Sequence, residues 1–441
     1  MSAGAGSVPE QILVVGASAG GLATAEALRR LGYGGHITLV GDESHLPYDR
    51  PPLSKQVLTG ELGADQLLIR RPTDIDALGL ELRLGEAAAG LDVMGRSVTL
   101  AGGTALGYDA LVVATGVRPR RLPGTQGARG VHVVRTLEDA FTLKDRLRRG
   151  RRLVVVGAGF IGAEATAAAR GLGLEVTLLE PAPVPLAHAL GEQVGQMLTR
   201  AHRDHGVDLR TGVAVEAVLS HDGAVTGVRL TDGSEVAAQD IVVGIGSLPN
   251  TEWLQDSGLL LDNGLVCDEF SQAARDIYGV GDVARWHNPL FESMMRIEHR
   301  TNAAEQGLAV ARNLLHPEAR RPFAPVPYFW SDQYDMKIQA YGFLRGHGEV
   351  AVVHGDLAAR SFIAAYRSGE RLVGVVAVNV PPKTLRPWRA AIAARQAWHT
   401  AVNGTGTTTG PQPRPVHLAA RAPHIDAPST NPTPLAEQRP G

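Results

Sequence analysis

Two glycine-rich turns with the same layout are the residues of this chain best suited to chemistry. The first lies in residues 12–21 (ILVVGASAGG) and the second in residues 153–162 (LVVVGAGFIG). In each, a run of branched apolar residues predicts a buried strand, and the glycines after it predict a tight turn into a helix. Backbone N–H groups and the positive end of the helix dipole then face one point, which suits a dinucleotide pyrophosphate. Two such turns predict two dinucleotides, most simply a flavin and a nicotinamide.

The two turns differ at the middle glycine position. Gly157, Gly159 and Gly162 match the full pattern, whereas the turn after Gly16 has Ser18 in the middle. The middle glycine allows the pyrophosphate to approach closely, so Ser18 narrows the gap and adds a hydroxyl. Either turn alone is a weak signal, because glycines after strands also serve packing. The two together, with similar residues downstream, are a strong signal.

An acidic residue follows the second strand of each nucleotide-binding unit. The strand at residues 174–179 (LEVTLL) ends in Glu180, and the strand at residues 36–40 (HITLV) is followed by Asp42 and Glu43. A carboxylate at this place binds ribose hydroxyls and repels a 2′-phosphate, so Glu180 favours NADH over NADPH. Asp42 is our choice in the first unit and Glu43 the alternative. A solvated carboxylate at a strand end remains open for each.

Further similarities show that one structural unit is used twice. Residues 108–119 resemble residues 240–249, and hairpin turns are indicated in the first half at 101–103 and in the second half at 222–223. Each unit therefore combines a βαβ core, a β-meander and a closing strand. The spacing of Ile161, Ala165, Ala168 and Leu172 predicts a helix with one apolar face on a sheet.

The fold class that follows is α/β, with two Rossmann-like dinucleotide-binding domains in a glutathione-reductase-like architecture and a small C-terminal α/β domain. We assign residues 8–116 and 246–322 to an FAD-binding domain and residues 117–245 to an NAD-binding domain. Residues 323–399 form the C-terminal interface domain. Residues 400–441 are rich in proline and threonine, so we expect a disordered tail.

Composition narrows the function classes. A net charge of −2 gives no general attraction to nucleic acid or to an anionic membrane. No run reaches the about 18 apolar residues of a membrane span, and the first eleven residues lack a secretory signal. Cys267 is the one cysteine, which fits a reducing compartment and predicts a cytoplasmic protein. A redox disulfide needs two cysteines, so electrons must leave for an external acceptor. We predict no metal site.

Five short runs together resemble the FAD-dependent ferredoxin reductases that serve bacterial haem monooxygenases and Rieske dioxygenases. They are residues 46–55 (LPYDRPPLSK), 114–116 (ATG), 279–284 (GVGDVA), 296–299 (RIEH) and 329–333 (FWSDQ). They occur in order, within a resemblance that spans residues 10 to about 395, and the combination is highly specific. The resemblance implies FAD and NADH as cofactors and a 2Fe–2S ferredoxin as partner.

The resemblance also implies roles for individual residues. Asp282 matches an aspartate that binds the flavin ribityl hydroxyls. Lys55 matches a lysine beside flavin N5, and Glu164 matches its glutamate partner. A cation there stabilises the anionic reduced flavin, and the carboxylate lowers the cost of burying that cation. A purely structural ion pair is the alternative.

Four other positions each have more than one interpretation. Phe160 matches an aromatic residue that covers the flavin face until nicotinamide displaces it, although helix packing would also explain it. Arg135 resembles a flavin-contacting arginine and Trp330 an aromatic residue near the flavin edge; both could be packing or surface residues. Arg300 stands where the family often has tryptophan, so it could contact an acidic ferredoxin, alter the flavin potential or be neutral. The remaining predicted cofactor-binding residues are Ala19, Gly20, Gly21, Arg50, Ala88, Ala114, Thr115, Gly116, Ile161, Gly246 and Gly281.

These observations predict an NADH:ferredoxin oxidoreductase in which the flavin divides the two electrons of a hydride between single-electron acceptors. A flavin NADH oxidase or quinone reductase is the alternative within enzymes. A signalling flavoprotein similar to apoptosis-inducing factor is the alternative from another class. The lack of an evident basic surface or targeting segment counts against the signalling protein.

Overall fold

The computed structural model describes residues 8–405 of the chain. Its strands, in chain order, are β1 (Gln11–Val15), β2 (His36–Gly41), β3 (Glu81–Leu84), β4 (Ala88–Asp92), β5 (Ser97–Leu100), β6 (Ala105–Gly107), β7 (Ala110–Val113), β8 (Val117–Pro119), β9 (Val131–His132), β10 (Arg152–Val156), β11 (Glu175–Glu180), β12 (Asp208–Thr211), β13 (Val215–His221), β14 (Ala224–Leu230), β15 (Glu235–Ala237), β16 (Asp240–Val243), β17 (Ser247–Pro249), β18 (Leu265–Cys267), β19 (Gln272–Ala274), β20 (Ile277–Gly279), β21 (Ala284–Asn288), β22 (Ser293–Met295), β23 (Tyr328–Gln333), β24 (Met336–Gly342), β25 (Glu349–Asp356), β26 (Ser361–Ser368) and β27 (Arg371–Val378). The helices are α1 (Ala19–Arg30), α2 (Gln56–Thr59), α3 (Pro72–Asp76), α4 (Leu137–Arg146), α5 (Phe160–Gly171), α6 (Ala187–Asp204), α7 (Arg300–Leu315), α8 (Pro382–Ala393) and α9 (Trp398–Thr405).

The two glycine turns lie at corresponding places in two sheets. The first sheet has the order β19-β20-β7-β1-β2-β3, with β20, β7, β1, β2 and β3 parallel, and the second has the parallel order β12-β11-β10-β16-β9. In both, the strand before the turn is central and its residues are buried. Apolar runs buried on both faces favour a parallel sheet covered by helices. The predicted α/β class and the repeated unit are therefore confirmed.

Each unit carries the predicted antiparallel meander, formed by β4-β5-β6 in the first and by β13-β14-β15 in the second. The turn between β13 and β14 places Asp222 and Gly223 at φ values of 50° and 72°, which suits an Asp-Gly hairpin. The chain passes from the first unit to the second at β8 and returns at β17, and these two strands pair antiparallel. The glycine-turn units are thus joined side by side.

The C-terminal sheet is antiparallel, with the order β23-β24-β27-β26-β25. The sequence runs 328–330, 337–341, 350–353 and 372–376 predict four of these strands, but the small residues of β26 (SFIAAYRS) show neither alternation nor a β-branched run and do not predict a strand. The prediction of a disordered tail from residue 400 is wrong at its start. Trp398 and Ala401 belong to a buried apolar cluster that includes residues of α8, and α9 continues to Thr405. The rest of the predicted tail, from residue 406, lies outside the described residues.

Helix α7 brings the last part of the first domain to the first glycine turn. It lies against α1 so closely that a Cβ on Gly307 would be 3.0 Å from the carbonyl oxygen of Gly20. Glycine at 307 therefore permits this approach. Among residues 8–405, no helix combines the length and apolar character needed to cross a membrane.

Candidate cofactor-binding and electron-transfer site

The first glycine turn is shaped by backbone geometry and by contact with β7. Gly16 has φ +123°, and a Cβ there would lie 2.1 Å from the carbonyl oxygen of Ala114. A Cβ on Gly21 would lie 2.0 Å from the carbonyl oxygen of Gly16. Both positions therefore require glycine. Ser18 is the N-cap residue of α1 and its hydroxyl makes no capping hydrogen bond.

In the second turn, packing explains two of the three glycines but not Gly159. A Cβ on Gly157 (φ +96°) would lie 2.5 Å from the backbone of Gly244, and a Cβ on Gly162 would lie 2.0 Å from the backbone of Gly157. Both positions therefore require glycine. A Cβ on Gly159 would meet nothing nearer than 3.9 Å. Gly159 is the N-cap of α5, where backbone amides face outward. The open space at this helix end fits a pyrophosphate group.

Glu180 lies beside the second turn with its carboxylate held by the backbone. One oxygen accepts a hydrogen bond from the N–H of Ala158 and the other from that of Ala182, both at 2.8 Å. Each carboxylate oxygen retains a further lone-pair site. The side chain is thus oriented and can still accept hydrogen bonds from a ribose.

The corresponding place in the first unit holds no carboxylate. The N–H of Gly16 donates to Val40, as that of Gly157 donates to Leu179, so Gly41 corresponds to Glu180. A Cβ on Gly41 would lie 2.6 Å from the Ala17 side chain. Asp42, one residue later, is exposed, and its ribose role stays a prediction.

Glu43, the alternative to Asp42, is engaged within the protein. Its carboxylate accepts hydrogen bonds from Arg50 (2.6 Å) and from the hydroxyl of Tyr48. Arg50 also donates to the carbonyl oxygen of Arg135 at 2.6 Å. This ion pair fixes the loop that precedes Lys55.

Asp282 and Arg135 meet at the edge of the first sheet. Arg135 Nη2 lies 3.4 Å from Asp282 Oδ2, and the same guanidinium nitrogen would be 3.1 Å from a Cβ on Gly116. Gly281 has φ +74° and its N–H donates to Gln306. Burial raises the pKa of Asp282, opposed by the positive charge of Arg135. Burial likewise lowers the pKa of Arg135. A polar ligand with hydroxyl groups would provide hydrogen-bond partners for both Asp282 and Arg135.

Lys55 and Glu164 form a buried ion pair between the first domain and α5. Their charged atoms are 3.1 Å apart, and Glu164 also accepts hydrogen bonds from Ser54 (2.6 Å) and Ser331 (2.8 Å). Burial raises the pKa of Glu164, while Lys55 and the two hydroxyls counter that effect. Three donors from two separate segments therefore hold one buried carboxylate.

Aromatic rings surround the start of α5. Phe160 contacts Phe329 edge-to-face, with ring centroids 4.7 Å apart, and Phe329 also packs on His299 at 5.0 Å. Trp330 lies parallel to Tyr328 with centroids 6.0 Å apart. These contacts explain the two predicted aromatic residues by packing and leave their flavin roles as predictions.

The structure gives Arg300 a partner that the sequence did not indicate. Arg300 is the first residue of α7 and its guanidinium pairs with Asp49 in the loop before Arg50. A cation at a helix N-terminus is unfavourable toward the dipole, and the Asp49 carboxylate offsets it.

Ile161 differs from the sequence expectation. It was predicted on the sheet-facing side of α5, but it is 41% exposed, whereas Ala165 and Ala168 are buried. Ile161 lies in the first turn of the helix, where its side chain reaches solvent.

The remaining predicted residues divide by location. Ala19 and Gly20 lie in the first turn of α1, while Thr115 bonds Asn250 through both its hydroxyl and its carbonyl oxygen. Gly246 (φ +97°) accepts a hydrogen bond from Arg120 at the domain crossing, and Ala88 lies at the start of β4. No contact brings Ala88 or Gly246 to the Lys55–Glu164 pair within residues 8–405. Sequence reasoning missed the roles of Ser54 and Ser331, although both lie in runs that carried the resemblance.

Cys267 is buried in β18. Burial raises the pKa of its thiol to about 12, so the thiol stays protonated near neutral pH.

Comparisons with known proteins identify the group to which this site belongs. Residues 10–307 match the pyridine nucleotide-disulphide oxidoreductase family and residues 328–403 match the reductase C-terminal family. The chain is 38% identical over 379 residues to putidaredoxin reductase of Pseudomonas putida, covering 84% of this chain and 89% of that protein. It is 40% identical over 374 residues to the anthranilate 1,2-dioxygenase system ferredoxin–NAD(+) reductase component of Burkholderia cepacia, covering 84% and 91%. The chain belongs to the putidaredoxin reductase-like ferredoxin reductases.

A solved structure supports this placement. The covalent putidaredoxin reductase–putidaredoxin complex matches with a TM-score of 0.84 and 36% identity, covering 88% of this chain and 93% of that one. The predicted family, two-nucleotide-domain architecture, oxidoreductase class and the FAD and NADH cofactors are confirmed. Membership of this family also confirms the predicted 2Fe–2S ferredoxin partner. The individual binding roles stay predictions.

Proposed function

We propose that this chain passes electrons from NADH through FAD to a 2Fe–2S ferredoxin of an oxygenase system. FAD, when bound, accepts the two electrons of a hydride and yields them singly. The observation that carries the proposal is the buried Lys55–Glu164 pair, held by Ser54 and Ser331 at the start of the second nucleotide helix. A charged pair buried this deeply is costly to stability, which supports a functional reason for it.

The chain's residues divide into a flavin side and an NADH side. Asp282 and Arg135 would hold polar groups of FAD, and Lys55 would place a positive charge at its reactive ring. Gly159 would admit the NADH pyrophosphate, and Glu180 would accept hydrogen bonds from the ribose of its adenosine half. Phe160 covers the approach between them, so nicotinamide binding requires its ring to move.

The acceptor follows from the thiol content of the chain. Cys267 is its one cysteine and is buried, so no dithiol can take the electrons inside this chain. A protonated, buried thiol also suits a reducing compartment, and we place the protein in the cytoplasm. The division into an FAD domain, an NAD domain and a C-terminal domain is part of the proposal, supported by the separate parallel sheets and the antiparallel C-terminal sheet.

Anaerobic stopped-flow mixing tests the acceptor. The holoenzyme is reduced with one equivalent of NADH and then mixed with a 2Fe–2S ferredoxin, with oxygen or with a quinone. We expect ferredoxin to reoxidise the flavin fastest. Ferredoxin that is no faster than oxygen and the quinone would show that the chain is an oxidase or quinone reductase. Slow reduction by NADH with a persistent charge-transfer band would indicate the signalling flavoprotein.

A further inference from the structure

The proposed reaction leaves one proton to be removed in every turnover, and the following inference rests on that proposed function. NADH delivers a hydride, which is two electrons and one proton, whereas each 2Fe–2S ferredoxin takes one electron. The balance is NADH + 2 oxidised ferredoxin → NAD⁺ + H⁺ + 2 reduced ferredoxin. One proton must therefore pass from the buried site to solvent in each turnover.

A cavity reaches the Lys55–Glu164 pair. Its volume is about 570 Å³, and it lies between α2, α5, the end of α6 and the hairpin turn that joins β23 to β24. Of the predicted site residues, Lys55 and Glu164 are the two that line it. Glu61 and Gly171 at its edge are exposed, so the cavity opens to solvent.

Asp332 stands between the ion pair and that opening. Its Oδ2 lies 3.8 Å from Lys55 Nζ, and it lines the same cavity. Exposed fractions of the side chains rise from 5% for Glu164 to 11% for Lys55 and 39% for Asp332, which orders the three groups from interior to solvent. The 3.8 Å gap is longer than a direct hydrogen bond, and one water or a small rotation would close it.

Glu164 is poorly suited to carry the proton outward. Its carboxylate already accepts hydrogen bonds from Ser54, Ser331 and Lys55, so it acts as a fixed counter-ion for the lysine. Asp332 lines the cavity with a side chain that is 39% exposed, so its carboxylate is in contact with solvent. The other charged groups on the cavity wall are Glu61, Arg170, His205 and Asp335.

We propose that the cavity is the proton exit of this enzyme and that Asp332 is the proton acceptor at its inner end. Lys55 Nζ gives up one N–H proton to Asp332 Oδ2, directly or through one water, and takes the proton left at the flavin in its place. Asp332 then releases its proton to water in the cavity. The lysine and the aspartate end each turnover in their starting states, and one proton has entered the solvent.

Three variants of the holoenzyme test the assignment. Asp332→Asn keeps the size of the side chain and removes the proton acceptor, and Asp332→Glu restores a carboxylate. Asp335→Asn, in the turn between β23 and β24, removes a carboxylate that is not paired with Lys55. Each variant is reduced anaerobically by NADH and reoxidised by ferricyanide, while an indicator dye reports proton release. Ferricyanide takes single electrons, so failure of the proposed ferredoxin acceptor would not disturb this test.

For Asp332→Asn, reduction by NADH is expected to stay within about 2-fold of wild type. Reoxidation and proton release are expected to slow on the order of 10-fold or more, as for loss of other acid–base groups. Added formate or acetate should restore both rates, Asp332→Glu should approach wild type, and the midpoint potential of bound FAD should remain unchanged. Asp335→Asn should behave as wild type.

Three results would overturn the proposal. Wild-type proton release in Asp332→Asn would show that the aspartate is not on the route. Slow reoxidation that formate or acetate does not restore, together with a shifted midpoint potential, would mean that Asp332 acts by its charge on the flavin. An equal loss in Asp335→Asn would assign the effect to the general charge of the hairpin.

Discussion

Glu180 should set the preference for NADH, and replacing it by alanine tests the NADH side of the site. Its two oxygens are already oriented by the backbone amides of Ala158 and Ala182 at 2.8 Å, so the carboxylate needs no ordering when a ribose arrives. A hydrogen bond to a charged group contributes about 1.5–3 kcal/mol. Since 1.4 kcal/mol is about tenfold in affinity, loss of one such bond should weaken NADH binding by roughly 10- to 100-fold.

NADPH should respond in the opposite direction. Its 2′-phosphate would face the Glu180 carboxylate, and two charges about 4 Å apart repel by about 1 kcal/mol in water and by more near a protein surface. Removing the carboxylate relieves this repulsion, so NADPH binding should be unchanged or tighter. The ratio of NADH to NADPH affinity should therefore fall by at least about tenfold.

The assay compares kcat/KM for the two nucleotides with ferricyanide as acceptor, and the Kd of each under anaerobic conditions. Glu175→Ala is the matched control, because Glu175 is an exposed glutamate at the opposite end of the same strand, β11. The control should keep the wild-type ratio. An unchanged ratio in Glu180→Ala would refute the ribose role, whatever happens to the overall rate.

Three further predictions concern the flavin side and the frame around it. Asp282→Ala should purify with less FAD, because a buried polar contact is lost beside Arg135; full flavin absorbance in the purified variant would contradict this. Ser331→Ala removes a hydrogen bond to Glu164 and should raise the pKa of that carboxyl further, so the acid limb of the pH profile for reduction by NADH should move to higher pH; an unmoved limb would count against the coupling. Asp240→Asn should lower the apparent free energy of unfolding by about 1–3 kcal/mol in urea, because His132, Arg146 and Arg151 lose a charged hydrogen-bond acceptor while the two arginines keep contact with solvent. Burial opposes ionisation of Asp240, but the three donors outweigh the effect of burial and lower the pKa of Asp240. The stabilisation should therefore be present above the unfolded pKa of about 3.9 and be lost as pH falls through the folded pKa. A urea midpoint that does not change with acidification would disagree.

The sequence was most informative where function depends on backbone shape. Gly16 and Gly157 have positive φ and no room for a side chain, so their residue type alone reports the turn. Gly159 is informative in a different way. The protein has room for a side chain at this position, so a bound ligand explains the glycine better than packing does. Such positions are readable because one residue type satisfies one local geometry.

Carboxylates were harder to assign, because their roles depend on partners rather than on local geometry. Asp42 and Glu43 follow the second strand of the first unit, yet register places Gly41 at the position of Glu180, and Ala17 leaves no space for a side chain there. Glu43 pairs instead with Arg50. A spacing rule could not separate these two residues, since a shift of one position changes which face a side chain meets.

The Lys55–Glu164 pair shows why the rest of the site could not be read from sequence and what the C-terminal domain contributes. Ser54 neighbours Lys55 in the chain, but Ser331 comes from the C-terminal sheet and meets Glu164 only when β23 packs beside α5. Without that strand the carboxylate would lose one of its three donors and Lys55 would lose Asp332 beside it. An uncompensated buried charge costs several kcal/mol, so the ion pair and the docking of the C-terminal sheet stabilise each other. The C-terminal sheet is therefore part of what holds the Lys55–Glu164 pair, and a change in β23 can reach that pair through Ser331 and Asp332.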